Sequence, residues 1–223
     1  MSFMRNARKK RDIPLTGFKA KWYDKNTRAS RRLEMKRYAD LVSEATARGA
    51  QVLEVAPGPG FLAIELAKRG FAVTGVELSE DFVAIEKKNA QAEGVSVEFK
   101  QGNASDLPLP EGKFDFVVCS AAFKNFSKPL KALEEMYRVL KPGGIALVLD
   151  MNRENTPEDI EQEMQNYPDM KGFDRFFVKF SFQTFLRNGA YSQKEFQDMI
   201  ADTQFARSEV KKYGIGFQVW LYK

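Results

Sequence analysis

An α/β fold on a doubly wound, mostly parallel seven-stranded sheet is predicted by three features of the sequence. Short, nearly continuous apolar runs alternate with helix-forming stretches between residues 51 and 151, as expected of parallel strands buried on both faces. Glycine, often beside proline, punctuates the joins. The chain closes on two β-rich segments, 205–213 and 216–223, that meet at Gly214-Ile215-Gly216. So tight a connection makes the last strand antiparallel.

Residues 1–48 read as a basic N-terminal arm and helix. An irregular lead-in over 13–30 carries Phe18, Trp22 and Tyr23. A helix over 31–47 follows, with Leu33, Tyr38, Leu41, Val42 and Ala45 at helical spacing and Gly49 to end it. QVLEVA (51–56) is the first strand, and Phe61 to Lys68 is a helix closed by Gly70. FAVTGVEL (71–78) is the second strand; Ser79 caps a helix over 80–92 that Gly94 follows. VSVEFKQ (95–101) and FDFVVCSA (114–121) are the third and fourth strands. A helix over 129–140 is stopped by Lys141-Pro142-Gly143-Gly144, and IALVLDM (145–151) is the fifth strand. The rhythm then changes. Residues 152–190 are polar, then rich in phenylalanine (Phe173, Phe176, Phe177, Phe180, Phe182, Phe185), and read as a helical insertion. Its rings form either a helix core or a lid over an apolar pocket. Ser192-Gln193-Lys194-Glu195 is a capping box that opens a helix to about Asp202. We expect one domain over 1–223: arm 1–48, core 49–151, insertion 152–190 and C-terminal elements 191–223.

Composition narrows the chemistry. The chain has no histidine, which excludes an imidazole base, a Ser-His pair and a His-ligated metal; no metal is expected. The single cysteine, Cys119, excludes an internal disulfide, suits a reducing cytoplasm, and within the fourth strand reads as packing. No apolar run reaches the roughly 18–20 residues of a membrane span, and the N-terminus lacks the apolar stretch of a secretory signal. A cytoplasmic protein is therefore expected. The net charge of +5 is uneven, because residues 1–48 hold 14 Lys/Arg against 5 Asp/Glu. Such an arm suits an anionic substrate, nucleic acid or a membrane surface, or is a solvated helix face.

The most informative stretch is Glu54-Val55-Ala56-Pro57-Gly58-Pro59-Gly60, where a buried-looking strand breaks into a turn and resumes as a helix. Bare backbone and free helix N–H groups at the carboxyl end of a parallel sheet make a ligand site. Gly58-x-Gly60-x-x-Ala63, with Glu77 ending the second strand 19 residues after Gly58, fits a nucleoside ligand whose ribose an acid would hold. Glu54 discriminates between ligands. Its carboxylate would repel a dinucleotide's pyrophosphate and attract the ammonium and sulfonium of S-adenosylmethionine.

With Gly75-Val76-Glu77-Leu78, Gly102-Asn103-Ala104-Ser105-Asp106, Phe114-Asp115-Phe116-Val117-Val118 and Arg138-Val139-Leu140-Lys141-Pro142-Gly143-Gly144 following in order, the sequence resembles class I S-adenosylmethionine-dependent methyltransferases. Within them it is most similar to the ubiquinone/menaquinone-type small-molecule methyltransferases. The resemblance implies a Rossmann-like fold, S-adenosylmethionine as cofactor, and methyl transfer to a small-molecule acceptor by in-line displacement, through positioning and desolvation. It implies that Glu54, Ala56, Gly58 and Gly60, with Pro57 in the same turn, cradle the methionine part. Glu77 would take the ribose hydroxyls and Leu78 pack on adenine; Asn103 and Ala104 would face the adenine edge, Asn103 through its carbonyl oxygen; Ser120 and Ala121 would line the floor. Four positions depart from the family pattern. Ala56 replaces its first glycine, Asn103 its usual aspartate, and Lys124-Asn125 a frequent His-His pair.

For the acceptor side the candidates are Asp150 as a base, Lys124 as holder of an anionic acceptor, and Tyr23 against the methionine part. Their structural alternatives are a cap or an ion pair with Arg153, a solvated loop lysine, and core packing. The acceptor is expected to be apolar or anionic. An RNA or protein methyltransferase using the basic arm, a nicotinamide-dependent oxidoreductase, and a binding protein that kept the cofactor fold stand as alternatives.

Overall fold

The computed structural model describes residues 11–166, 172–181, 183–184 and 187–223. Seven strands, β1 (Gln51–Val55), β2 (Ala72–Glu77), β3 (Glu98–Gln101), β4 (Phe114–Ser120), β5 (Leu140–Met151), β6 (Arg207–Tyr213) and β7 (Gly216–Tyr222), form one sheet in the order β3-β2-β1-β4-β5-β7-β6. β1 lies between β2 and β4, parallel to both, and Val52 to Val55 are all buried. The chain winds outward through β2 and β3, then returns through β4 to β5. The order therefore reverses between β1 and β4, where a crevice for ligands opens at the carboxyl ends. β7 runs antiparallel to β5 and to β6, so the last strand is reversed as predicted.

Helices cover both faces. α1 (Gly17–Ala45), α2 (Phe61–Lys68) and α3 (Glu80–Ala92) share one core, through Met35, Leu62 and Val83 among others. α4 (Pro129–Val139) and α8 (Gln193–Ala201) share the other, through Met136 and Phe196. The predicted caps form: the Ser79 hydroxyl accepts from the Phe82 amide, and Ser192 and Glu195 cap each other's backbone reciprocally. Cys119 is fully buried in β4, as packing requires. α5 (Pro157–Glu163), a 3-10 turn (Met164–Asn166), α6 (Gly172–Ser181) and the single turn α7 (Arg187–Gly189) make the insertion after β5.

Several boundaries differ from expectation. α1 begins at Gly17, not near 31, so the expected irregular lead-in is mostly helix. Its lysines, Phe18 and Trp22 are exposed, and the apolar periodicity that marks a buried face is sparse there. Leu33, assigned above to the apolar face, is 55% exposed. β3 starts at Glu98 instead of Val95. β5 starts at Leu140, because Leu140 pairs with Phe114 across a register shift before the main ladder resumes at Ile145. Of the insertion's phenylalanines, Phe182 and Phe185 and the side chains of Phe173 and Phe177 lie outside the described residues. Phe176 and Phe180 are exposed and stack at 6.3 Å, so these two are not helix core.

The C-terminal end of α4 is closed from a distance. The Lys223 ammonium donates to the carbonyls of Tyr137 and Leu140, each at 2.7 Å, and lies 4.4 Å over the Tyr137 ring. A cation at last-turn carbonyls is favourable. Lys223→Ala should therefore cost about 1–2 kcal/mol, a fall in Tm of roughly 2–8 °C. An unchanged melting curve would show that water replaces the ammonium without loss.

Candidate active site

Strand alternation places Glu54 on the same face as Val52, toward α1 to α3, while Leu53 and Val55 enter the opposite core. Glu54 is 1% exposed. Burial pushes its pKa up to about 8; the Ala63 N–H at the start of α2, Arg31 and the Ser120 hydroxyl pull it down, and Glu77 pushes it up. The Ala63 contact is that of an acid at a helix N-terminus, meeting an otherwise unpaired donor. Its Oε2 is buried without a hydrogen-bond partner among the described residues.

The turn after β1 is tight. The Gly60 N–H donates to the Pro57 carbonyl at 3.1 Å. A Cβ added at Gly58 would meet nothing within 4 Å, whereas one at Gly60 would lie 3.2 Å from Glu86 Cγ and 3.3 Å from Phe99 Cζ. The two bare positions therefore serve different ends. Gly58 leaves open space for a ligand; Gly60 lets α3 and β3 pack against the turn. Ala56 and Ala121, which follow the neighbouring strands β1 and β4, have φ of +57° and +56°. Side chains in that left-handed region cost about 1–2 kcal/mol each, and such strain gathers at ligand sites.

Glu77 ties the turn to β2: its Oε2 accepts from the Gly58 N–H at 3.1 Å and its Oε1 from the Ser79 N–H at 2.9 Å. Burial raises its pKa, more than these bonds lower it. Leu78 and Ala104 are half-buried. Asn103 is arranged otherwise than expected. Its carbonyl oxygen accepts from the Ser105 N–H and hydroxyl at 2.9 and 2.8 Å, while its amide donates to Asp12 at 3.1 Å. Asp12 also accepts from the Ser127 N–H at 2.9 Å and hydroxyl at 2.6 Å. One N-terminal carboxylate thus clasps the loops after β3 and β4. The same strap is held by the Ser79 hydroxyl on the Leu15 carbonyl and by the Gly17 N–H on Asp81.

α1 is bolted over the turn. Tyr23 packs edge-on to Phe82 at 6.0 Å, its hydroxyl 3.4 Å from Arg31 Nη1. Arg28 donates to Asp24 and, at 2.7 Å, to Asn89, whose amide donates to the Pro59 carbonyl at 2.9 Å. Arg31 pairs with Glu34 at 3.0 Å, leaving Nη2 buried and unpartnered among the described residues. Glu86, on α3, buries both carboxylate oxygens without such a partner. Burial, then Glu77 and Glu54, push its pKa up to about 10. Glu86, Arg31 and Asp12 were not singled out in the sequence. Glu86 was legible, since it falls in phase with Phe82, Val83, Asn89 and Ala90 on the buried face of α3. Arg31 falls in phase with Met35 and Tyr38. Asp12 carried no signal.

The expected acceptor residues are brought together, against each other. Lys124 Nζ donates to Asp150 Oδ1 at 2.9 Å and to the Ala121 carbonyl at 2.6 Å. The Lys124 and Met151 N–H groups both donate to Asp150 at 2.7 Å. Both side chains are buried, so Lys124 is not a solvated loop lysine, and Asp150 meets three donors. Arg153, the ion-pair partner in the structural alternative for Asp150, pairs with Glu195 instead. Asn125 is exposed; Phe123 is buried and stacks on Phe196 at 5.2 Å.

Residues 53–148 match the family described as a methyltransferase domain. A demethylmenaquinone methyltransferase of Thermus thermophilus is 39% identical over 117 residues, 52% of each chain. The chain spans about half the length of the curated relatives it matches. An S-adenosylmethionine-dependent methyltransferase from Aquifex aeolicus, 24% identical, superposes with a TM-score of 0.70 over 92% of this chain and 99% of that one. The cyclase SpnF, 22% identical, reaches 0.56 over 84% and 80%, so likeness of shape speaks to the fold alone. Residues 53–148 thus match a methyltransferase domain, carried on a fold shared with S-adenosylmethionine-dependent methyltransferases.

Because Glu54 and Glu86 hold protons in the folded state that they release when unfolded, stability should fall as pH rises from the ordinary carboxylate range toward about 8 for Glu54 and about 10 for Glu86. Glu86→Gln should raise Tm at pH 8.5, by about 2–4 °C for each kcal/mol recovered, and flatten the Tm–pH slope between pH 6 and 9. Differential scanning fluorimetry reads both; a slope identical to wild type would place the extra proton elsewhere.

Proposed function

We propose that this chain transfers a methyl group from S-adenosylmethionine to a small apolar or aromatic acceptor. The observation that carries the reading is Glu54: a buried carboxylate with one unpartnered oxygen, beside a turn whose Gly58 leaves open space. The residues present fit the cofactor. Glu54 would attract the ammonium and sulfonium, and the unpartnered Nη2 of Arg31 would hold the methionine carboxylate. Glu77 keeps lone pairs for ribose hydroxyls beyond the two backbone bonds it accepts. Leu78, Asn103 and Ala104 would flank adenine, with Ser120 and Ala121 as floor and Tyr23 closing the methionine side. When bound, the cofactor supplies an electrophilic methyl group on a positively charged sulfur. The protein's part is then to align the nucleophile and exclude water.

The Lys124–Asp150 pair bears on the acceptor. An aspartate that already meets three donors is a poor base, and a lysine spent on it is a poor anion holder. We therefore read the pair as a brace between the ends of β4 and β5, and the acceptor as one that arrives nucleophilic, such as a phenolate, enolate or thiolate. Relatives named demethylmenaquinone methyltransferases support a quinol-like acceptor. A nicotinamide dinucleotide is the weaker reading, since Glu54 would face its pyrophosphate.

S-adenosylhomocysteine at a hundred times its Kd should stabilise the protein by about 2.7 kcal/mol, a rise of roughly 5–11 °C in Tm; stabilisation by NAD alone would overturn the assignment. Glu54→Gln should weaken that binding about 10- to 100-fold, the worth of a hydrogen bond to a charged group. Because the carboxyl must ionise to pair with the ammonium, affinity should rise with pH up to about 8 and binding should release a proton. Isothermal titration in two buffers of different ionisation enthalpy reads that proton. Transfer of a labelled methyl group to demethylmenaquinone, simple phenols, thiols and RNA then ranks the acceptors; labelling of RNA alone would replace the small-molecule reading.

A further inference from the structure

We propose that the outer face of α1, with the strap before it, docks on the surface of an anionic lipid bilayer. The inner face of α1 is core: Ala20, Met35, Tyr38, Ala39 and Val42 are buried. The outer face should then be polar, and it is not. Phe18 is 79% exposed, Trp22 52% and Leu33 55%, and the strap adds Ile13 at 78% and Leu15 at 43%. Phe18 and Trp22 are one turn apart and share a side of the helix. Large exposed apolar groups gathered in one place mark an interaction surface.

Over residues 18–36 the exposed charges are all cationic; one turn further on, Asp40 is exposed on the same side and pairs with Arg69 of α2. Lys21, Lys25, Arg32 and Lys36 are exposed and recur with Phe18, Trp22 and Leu33 at helical spacing. The acids of the same stretch are turned inward. Asp24 accepts from Arg28 and Asn89; Glu34 accepts from Arg31 and Tyr38. Arg8-Lys9-Lys10-Arg11 extends the positive run in sequence. Apolar and aromatic groups set among cations are the chemistry of an interfacial helix on anionic lipid.

Other occupants fit less well. A single-stranded nucleic acid would use the cations and stack on Phe18 and Trp22, but it has no use for Ile13, Leu15 and Leu33. A second copy related by a two-fold axis would set this cationic face against itself. No described helix is long and apolar enough to cross a membrane, which leaves lying on the surface. The inference stands without the methyl-transfer reading. Where that reading also holds, docking brings the crevice, roofed by Tyr23, Arg28 and Arg31 of the same helix, to the surface from which an apolar acceptor would come.

The test is co-sedimentation of the full chain, without cofactor, with vesicles of phosphatidylcholine alone or mixed with phosphatidylglycerol. Binding should require phosphatidylglycerol and weaken as salt is raised. Phe18→Ser/Trp22→Ser and Lys21→Gln/Lys25→Gln should each reduce it at least roughly tenfold, while Lys211→Gln/Lys212→Gln on β6 should leave it unchanged. Circular dichroism confirms that each variant is folded. No binding, equal binding to neutral vesicles, or full binding by both α1 variants would overturn the proposal. So would a concentration-dependent dimer abolished by Phe18→Ser/Trp22→Ser, or RNA binding that these variants abolish while vesicles are ignored.

Discussion

A carboxylate buried at the carboxyl end of the central strand is the constraint from which the rest of the site follows. Glu54 occupies a core position of β1 and meets the Ala63 N–H in the first turn of α2. A charge there is expensive unless compensated, and the nearest acids, Glu77 and Glu86, add to the cost. Arg31 is the cation that lowers it, and it reaches the site only because α1 folds across the turn. The folded protein therefore keeps protons on these acids well above the pH at which an ordinary glutamate loses its own. Strongly shifted acids beside strained backbone at Ala56 and Ala121 are what a built ligand site looks like before its ligand arrives.

Much of the scaffold was legible because its signals are local. Parallel strands buried on both faces must be apolar throughout, so β1, β2 and β4 could be placed almost to the residue. Caps are written in neighbouring side chains, as at Ser79 and in Ser192 with Glu195. The turn was legible as a ligand site, but not the separate tasks of its glycines. That Gly58 faces open space while Gly60 faces Glu86 depends on where α3 packs, and no local pattern encodes it. β5 shows the same limit: Pro142 and two glycines signal an end to structure, yet pairing with β4 begins before them.

What stayed hidden was long-range. Asp12 joins Asn103 and Ser127 across separations of 91 and 115 residues, and nothing near Asp12 announces it. α1 was foreshortened because its first half lacks the alternation of buried and polar residues by which helices are recognised. Its outer side chains are aromatic and cationic, while inward it presents little apolar surface beyond Ala20 and Tyr23. The feature that obscured the helix is the one that gives its outer face a partner.

The absence of histidine and the pairing of Lys124 with Asp150 bear on the same question from two directions. Removing histidine takes away the side chain best suited to accept a proton near neutrality. Pairing the loop lysine with the strand aspartate then engages the two groups best placed to replace it. Asp150 holds the loop after β4 by the Lys124 backbone and ammonium at once, and holds the end of β5 through the Met151 N–H. In the proposed reading the rate then depends less on proton transfer than on how well α1, the Asp12 strap and the braced loops exclude water around a nucleophile that is already formed. That division suits displacement at a sulfonium, whose electrophile needs no activation by the protein. Acceptors should accordingly be ranked by the ease with which they ionise before entry, a property of the substrate and not of any base in this chain.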